Sequence, residues 1–575
     1  MRGRGRVAGR IAVVIATVAA LLGPGYVAPA RTISIPLTLA RTVTATGARG
    51  TIPLAIAPTH VAFSWRGDEG TGVRFRVFDG IGVASSWMRA PENHDAERGD
   101  THFSGVLAVD RPARIEWRSI EPRGTDMGRI TIDYLNTLDG PRAIRTIPAL
   151  AEAGVNDPDI VTRAEWGADE SIKRTSGGCR RRFFPVQQLF VHHTAGSNFD
   201  TRPAATMRAI YWYHTVRQGW CDVGYNFVIS HDGRIFEGRW ARHYKPWELH
   251  SSENRAREAV VGAHVSGYNS GSVGISLMGN FTSVKPSPAA RRALTELLAW
   301  EVDRHDLKPL RRHRYRNPET GLSKRLYFIA GHRDAGSTAC PGSRLYRSLD
   351  GIRRDAKAAM GEGKVTTALS LEASATHIDY GETVTFAGRL TADGALTGLA
   401  GASITVYRRN GSGPWRVDSV VPTGLDGSFS FAIAPNKNVR VIAVYHGDAS
   451  NWGSESRAVR VKVRPLVSLT PEGGVPDAAG THHYPAGTAS VDLAGDVMPN
   501  HAGSRVTIRV FEELPDGTST LLIEPRVRLD ADSRYRYSFA IPPGTTGSYS
   551  ALTRFAPDAD HAFARSEAVH FTIDQ

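Results

Sequence analysis

Cysteine is nearly absent: three thiols occur in 575 residues. That is too few for a disulfide-dense scaffold, and the odd count leaves at least one thiol to explain. Beyond the first thirty residues no apolar run approaches the roughly 20 residues a membrane helix needs, which excludes a later helical span. Neither sign of charge dominates. Lys and Arg total 70 against 57 Asp and Glu, a formal +13. Such mild basicity is compatible with an acidic polymer, cell wall or nucleic acid, and selects neither. With 41% apolar and 22% charged residues, 58 Gly and 32 Pro, the composition excludes collagen, a long coiled coil and wholesale disorder. At about 100–200 residues per domain, the length predicts three to five domains.

Residues 1–30 read as a secretory leader. Arginines at positions 2, 4, 6 and 10 precede the apolar run Ile11–Leu22, and Ala28-Pro29-Ala30 offers a small-residue cleavage site. As a helix, twelve residues rise only about 18 Å, short of a bilayer core of about 30 Å. The sequence therefore predicts an exported protein, with no membrane span once the leader is removed, in a compartment where disulfides persist.

From 31 to 155, short runs such as His60–Trp65, Val73–Val77, Ala113–Trp117 and Ile130–Tyr134 alternate with period two between Gly- and Asp-rich turns. This predicts a β-sandwich. Residues 156–360 mix helical and strand patterns and predict an α/β domain, a mixed sheet with flanking helices. Ser287-Pro288 reads as an N-cap followed by Pro at the first helical position. Ala290, Ala293, Leu294, Leu297, Leu298 and Val302 then mark one helical face. A second helix is predicted from Pro203 to about Gln218, and strands at Gln188–His193, Tyr225–Ser230 and Gly274–Met278. Asp232-Gly233 predicts a turn into Arg234–Glu237. After the linker Gly361–Lys364, β patterns return and repeat. Ser430–Ile433 recurs as Ser538–Ile541, and Ser456–Val459 resembles Ser566–Val569. Offsets of about 110 residues predict two immunoglobulin-like sandwiches, 365–465 and 466–575, serving as spacers or adhesive arms.

Three segments of the α/β region concentrate metal-capable residues: Phe190–Gly196, Asp222–Phe227 and Gly331–Gly342. One His from the pair His192-His193, with His332 and Cys340, would make a His₂Cys set with a fourth position open, the arrangement of catalytic zinc sites. Successive strand residues face opposite ways, so only one of the pair can serve, and spacing alone leaves both open. Adjacent histidines are ordinarily surface or core decoration; His482-His483, with no cysteine near, illustrates that reading. Cys179 and Cys221 can pair, which would leave Cys340 as a thiol kept reduced by metal.

These segments resemble the type 2 N-acetylmuramoyl-L-alanine amidases, the family that includes the peptidoglycan recognition proteins. The resemblance rests on Arg163-Ala164-Glu165-Trp166-Gly167, His192-His193-Thr194-Ala195, Gly224-Tyr225-Asn226-Phe227, Gly262-Ala263-His264, Gly274–Asn280, and Gly331–Asp334 followed by Thr338-Ala339-Cys340-Pro341-Gly342, in order over about 200 residues. It implies a zinc ion held by His192, His332 and Cys340, with Tyr225 and Thr338 as catalytic hydrogen-bond donors and His264 near the substrate groove. The implied reaction is hydrolysis of the amide between N-acetylmuramic acid and L-alanine in peptidoglycan. Asp334 and Glu237 are two further carboxylates between which the sequence does not choose as a base.

The alternative is a non-catalytic peptidoglycan-binding protein; the intact ligand set argues against it. A nucleic-acid binder would rest on Arg180-Arg181-Arg182 and Arg311-Arg312-His313-Arg314, with no recognition motif beside them. A cysteine hydrolase using Cys340 and His332 is also conceivable, although the ordered motifs favour a metal. Oligomeric state is not legible.

Overall fold

The structure, a computed structural model, describes residues 31–93, 100–123, 125–147, 157–360, 364–392, 397–448 and 450–575. The expected leader, the linker residues 361–363 and the boundary near residue 155 lie outside the described residues. Among those described, no helix is long and apolar enough to cross a membrane. The chain divides into two compact units, one holding residues 28–364 and the other most of 365–575.

In the first unit, the strands Leu39–Ala45, Met127–Asn136, His60–Gly67 and Thr101–Phe103 form one sheet, and Arg49–Pro53, Arg114–Ile120, Gly72–Phe78 and Met88–Arg89 another. Val61, Phe63 and Trp65 of the first sheet share a core with Val73, Phe75, Ile115 and Trp117 of the second. The strand His60–Gly67 is buried at six successive positions rather than alternately. Its second face explains this: Ala62, Phe103, Val106 and Leu135 pack on Ala209, Ile210 and Tyr213 of the following α/β region. Polar contacts seal the same junction. His60 Nε2 lies 2.8 Å from Thr206 Oγ1, Tyr213 donates to the Phe63 carbonyl at 3.1 Å, and Arg217 Nε donates to Asp133 at 2.6 Å.

The α/β region is built on a six-stranded mixed sheet of β1 (Ile160–Val161), β2 (Gln188–His193), β3 (Phe227–Ile229), β4 (Ile235–Glu237), β5 (Ser272–Leu277) and β6 (Ile329–Gly331), in the order β1-β4-β3-β5-β2-β6. Only the β3–β4 pair is antiparallel; β2 is parallel to both of its neighbours. Every residue of β2 is buried, as expected of an interior parallel strand. Helix α1 (Pro203–Trp212) continues into one π-helical turn, Tyr213–Arg217, and so spans nearly the expected range with a wider last turn. Helix α2 (Pro288–Arg304) starts as the sequence predicts, with the Ser287 hydroxyl accepting from the Ala290 amide at 3.0 Å. Helix α3 (Ser343–Ala359) lay outside the sequence expectations, although Leu345, Leu349, Ile352 and Ala356 mark its buried face. Helices α2 and α3 cover the sheet face carrying Leu189, Val191, Ile275 and Ile329. The opposite face carries Phe190 and His192.

The second unit contains two further cores, each between strands of two sheets. The sequence repeat has a structural counterpart in it. Strand Ser428–Ile433 pairs with Val384–Ala392, and Arg534–Ala540 pairs with Ser490–Met498. Ser456 Oγ accepts from the Ala443 amide as Ser566 Oγ accepts from that of Thr553.

Candidate metal centre

The alternation of β2 separates the two histidines. His193 turns to the helix-covered face, where its Nδ1 accepts from the Phe281 amide at 3.2 Å. His192 turns to the other face. His332 follows directly on β6, which is parallel to β2, so both imidazoles sit at the C-terminal ends of adjacent strands, where open α/β sheets place their ligands. Cys340 returns on the loop before α3. Its Sγ accepts from the His193 amide at 3.4 Å, its own amide donates to Thr338 Oγ1 at 3.1 Å, and its carbonyl accepts from the Arg333 amide at 3.1 Å. These bonds fix the thiol against the end of β2.

The ligand atoms of His192, His332 and Cys340 all lie within 4.8 Å of one another, and all three residues are buried. His192 Nδ1 is 3.5 Å from Cys340 Sγ, while its Nε2 is 3.2 Å from His264 Nδ1. In the tautomer whose Nε2–H donates to His264, the Nδ1 lone pair would face the sulfur. A metal-binding imidazole characteristically has its second nitrogen engaged in this way. Two imidazoles and a thiol at this separation fit a zinc ion in chemistry and in number. Cys179 and Cys221 form a disulfide across 42 residues, which leaves Cys340 as the cysteine outside it.

Tyr225 is 1% exposed, and its ring centroid lies 5.4 Å from that of His192. It lies two residues before the short β3 rather than within a strand from 225 to 230. His214, on the π turn, packs edge-on against Tyr225 at 5.7 Å and accepts from the Gly224 amide at 3.2 Å. The sequence reading did not single it out, because its place beside Tyr225 depends on how α1 ends. Thr338 is half-buried at the cluster edge.

His264 is the residue expected near the substrate groove. It lies on a loop, but it is 1% exposed and its ring packs edge-on to His192 at 5.1 Å. That geometry sets its Nδ1 3.2 Å from His192 Nε2. Two glycines of the recognised motifs make room for it: a Cβ at Gly262 or at Gly274 would come within 2.5 Å of the His264 ring.

Both candidate carboxylates are occupied structurally. Asp334 accepts from the Gly331 amide at 2.8 Å and from the Tyr346 hydroxyl at 2.5 Å. Glu237 accepts from the Arg163 amide at 3.0 Å and bonds His250 Nδ1 at 2.6 Å. The Arg163–Gly167 element is a brace. The buried Arg163 guanidinium bonds Asp222, Glu170 and the Gly238 carbonyl, and Trp166 Nε1 donates to the Glu237 carbonyl at 2.8 Å. Of the basic runs, Arg181 stacks over Trp240 and Arg312 over Tyr327, so both are partly spent on the protein's own rings.

A mixed sheet that gathers two imidazoles and one thiol at adjacent strand ends defines an α/β domain with a His₂Cys centre. Residues 182–343 match the family model described as N-acetylmuramoyl-L-alanine amidase. Peptidoglycan recognition protein 1 of Bos taurus is 36% identical over 196 residues, covering 33% of this chain and 82% of that protein. Peptidoglycan-recognition protein SC2 of Drosophila simulans is 31% identical over 192 residues, covering 33% of this chain and 84% of that protein. N-acetylmuramoyl-L-alanine amidase of Homo sapiens is 34% identical over 202 residues, covering 34% of this chain but only 29% of that protein. The chain belongs to this family of N-acetylmuramoyl-L-alanine amidases and peptidoglycan recognition proteins.

Proposed function

We propose that the protein is a secreted, zinc-dependent N-acetylmuramoyl-L-alanine amidase that binds peptidoglycan and hydrolyses the amide between N-acetylmuramic acid and L-alanine. The observation that carries this reading is the convergence of His192, His332 and Cys340 within 4.8 Å, with the cysteine lying outside the Cys179–Cys221 disulfide. Those three residues would hold the ion. When bound, zinc supplies Lewis-acid polarisation of the scissile carbonyl and makes water nucleophilic near neutral pH.

The chain's own residues do the rest. With one thiolate and two neutral imidazoles as its ligands, a bound dication would keep a net positive charge with which to stabilise a developing oxyanion. Thr338 Oγ1 already accepts from the Cys340 amide, so its proton is available to donate to that oxygen. Tyr225, beside His192, is the second donor; losing one such donor typically lowers turnover about 10²–10³-fold. His264 orients His192. Burial excludes bulk water, which strengthens each of these interactions. The disulfide supports an oxidising, extracytoplasmic location. The β domains on either side, 31–155 and the two repeats from 365 to 575, are read as arms that hold the enzyme at the wall.

The test is zinc content together with mass spectrometry of muropeptides released from purified cell walls, with Cys340→Ser as control. The expected outcome is free N-terminal alanine from the zinc-loaded protein and none from the variant. Saturable wall binding without release would establish a recognition protein instead, and release surviving both chelation and Cys340→Ser would refute the metal reading.

A further inference from the structure

The last β domain contains a second cluster of ligand type, far in sequence from the first and independent of the amidase reading. His501 Nε2 faces His561 Nδ1 at 2.9 Å, and the Asp558 carboxylate lies 3.8 Å from each of these nitrogens. The three residues form one of three groups, among the described residues, whose ligand atoms converge within 4.8 Å. Both imidazoles are buried, and Phe555 packs edge-on against His501 at 4.5 Å.

The outer nitrogens decide what lies between the rings. His501 Nδ1 is 2.6 Å from the Pro499 carbonyl, and His561 Nε2 is 2.9 Å from the Asn436 carbonyl. A carbonyl oxygen can only accept, so each of these nitrogens carries a hydrogen. In the neutral imidazoles the facing pair, His501 Nε2 and His561 Nδ1, are then both lone pairs, aimed at each other beside a carboxylate. Two lone pairs at 2.9 Å repel unless a cation lies between them. Backbone carbonyls that fix the tautomer by accepting from the outer nitrogen are the usual surroundings of metal-bound histidines.

We propose that His501, His561 and Asp558 bind a divalent transition-metal ion of the zinc type, with solvent in the remaining position. At metal–nitrogen distances of about 2.0–2.1 Å, tetrahedral ligation needs the two nitrogens about 3.3 Å apart. The rings therefore need to separate by only a few tenths of an ångström. Asp558 is the adjustable ligand, since its side chain is 40% exposed.

The site sits where the two C-terminal domains meet. Asn436, whose carbonyl fixes His561, belongs to the preceding domain. Next to it Lys437 pairs with Asp560 at 2.7 Å, and the Ala562 amide donates to the Val463 carbonyl at 2.7 Å. All three ligands belong to the last domain, so metal binding clasps the preceding one through the bond from His561 Nε2 to the Asn436 carbonyl.

The experiment is a zinc titration of the full-length, chelator-stripped protein against a competing chromophoric chelator, with thermal melts in parallel. The wild type should take up two equivalents and Cys340→Ser one. Asp558→Asn, which keeps the exposed turn, should lose about tenfold or more in affinity for one equivalent, and His561→Asn should abolish it. Zinc should raise the melting temperature of Cys340→Ser but not that of Cys340→Ser combined with His561→Asn. If Cys340→Ser still takes up one equivalent that His561→Asn removes, and the wild type takes up only that one, the clasp stands and the amidase centre fails. Cys340→Ser taking up no zinc at saturation overturns the clasp; melting that follows pH alone, unmoved by zinc, would mark a shared proton between the rings and overturns it as well.

Discussion

Replacing Gly274 by alanine probes how the fold holds His192. A Cβ at Gly274 would lie 2.5 Å from His264 Cδ2 and Cγ and 2.7 Å from its Nδ1, whereas carbon atoms pack at about 3.5–4.0 Å. The ring must therefore move by about 1 Å. It has little room to do so: Gly262 also packs close to the ring, and the His264 amide is held by Asn269 at 2.8 Å. A displacement of that size breaks the 3.2 Å contact between His264 Nδ1 and His192 Nε2. Overpacking costs about 1–3 kcal/mol, and the lost hydrogen bond adds about 0.5–1.5 kcal/mol. The total, about 1.5–4.5 kcal/mol, corresponds to about 3–18 °C in the melting temperature of a domain this size. Calorimetry of metal-free protein reads this cost. Zinc titration of the variant should add a drop of about 10–100-fold in affinity, typical for loss of a group that orients a ligand. Gly178→Ala is the control, since a Cβ there meets nothing within 4 Å. A Gly274→Ala protein that melts within 2 °C of wild type, by order of magnitude a null effect, and binds zinc undiminished would refute the account of His264.

Two further outcomes follow from the packing. Burial, with Arg202 and Arg208 nearby, lowers the His60 pKa from 6.5 to about 3, so His60 is neutral in the folded protein at neutral pH. The unfolded chain takes up its proton first, so stability is lost as pH falls from 6.5 towards 3. By pH 4.5 the loss is about 2–3 kcal/mol, and denaturant titrations should show a correspondingly flatter acid limb in His60→Gln. Arg163→Ala leaves the buried Asp222 and its partner Glu170 without their cation and should cost about 3–5 kcal/mol. Urea denaturation monitored by tryptophan fluorescence checks this, and Arg163→Lys should recover only part of the loss.

Much of this molecule is written locally. Ser287-Pro288 and the apolar spacing after it specify α2 because capping and amphipathicity need only near neighbours. The β2 residues Gln188–His193 form a strand with the expected bounds, and the order of motifs marks the family. Helix α3 was equally legible from Leu345, Leu349, Ile352 and Ala356 but was masked by the nearby metal motif. The closing π turn of α1, and with it the place of His214, was not legible, since hydrogen-bond slippage in a last turn follows from packing.

What the sequence by itself determined is the inventory: two imidazoles and a spare thiol in a mixed sheet, and a repeat in the C-terminal β region. Only the tertiary structure decided which member of the His192-His193 pair meets Cys340, because strand alternation says that they part but not which face α2 and α3 will cover. It also set the His264 ring against His192, and gave Asp334 and Glu237 hydrogen bonds to the Gly331 and Arg163 amides. It brought His501 and His561 together across 60 residues. Each of these depends on contacts between segments distant in sequence, which no local pattern encodes.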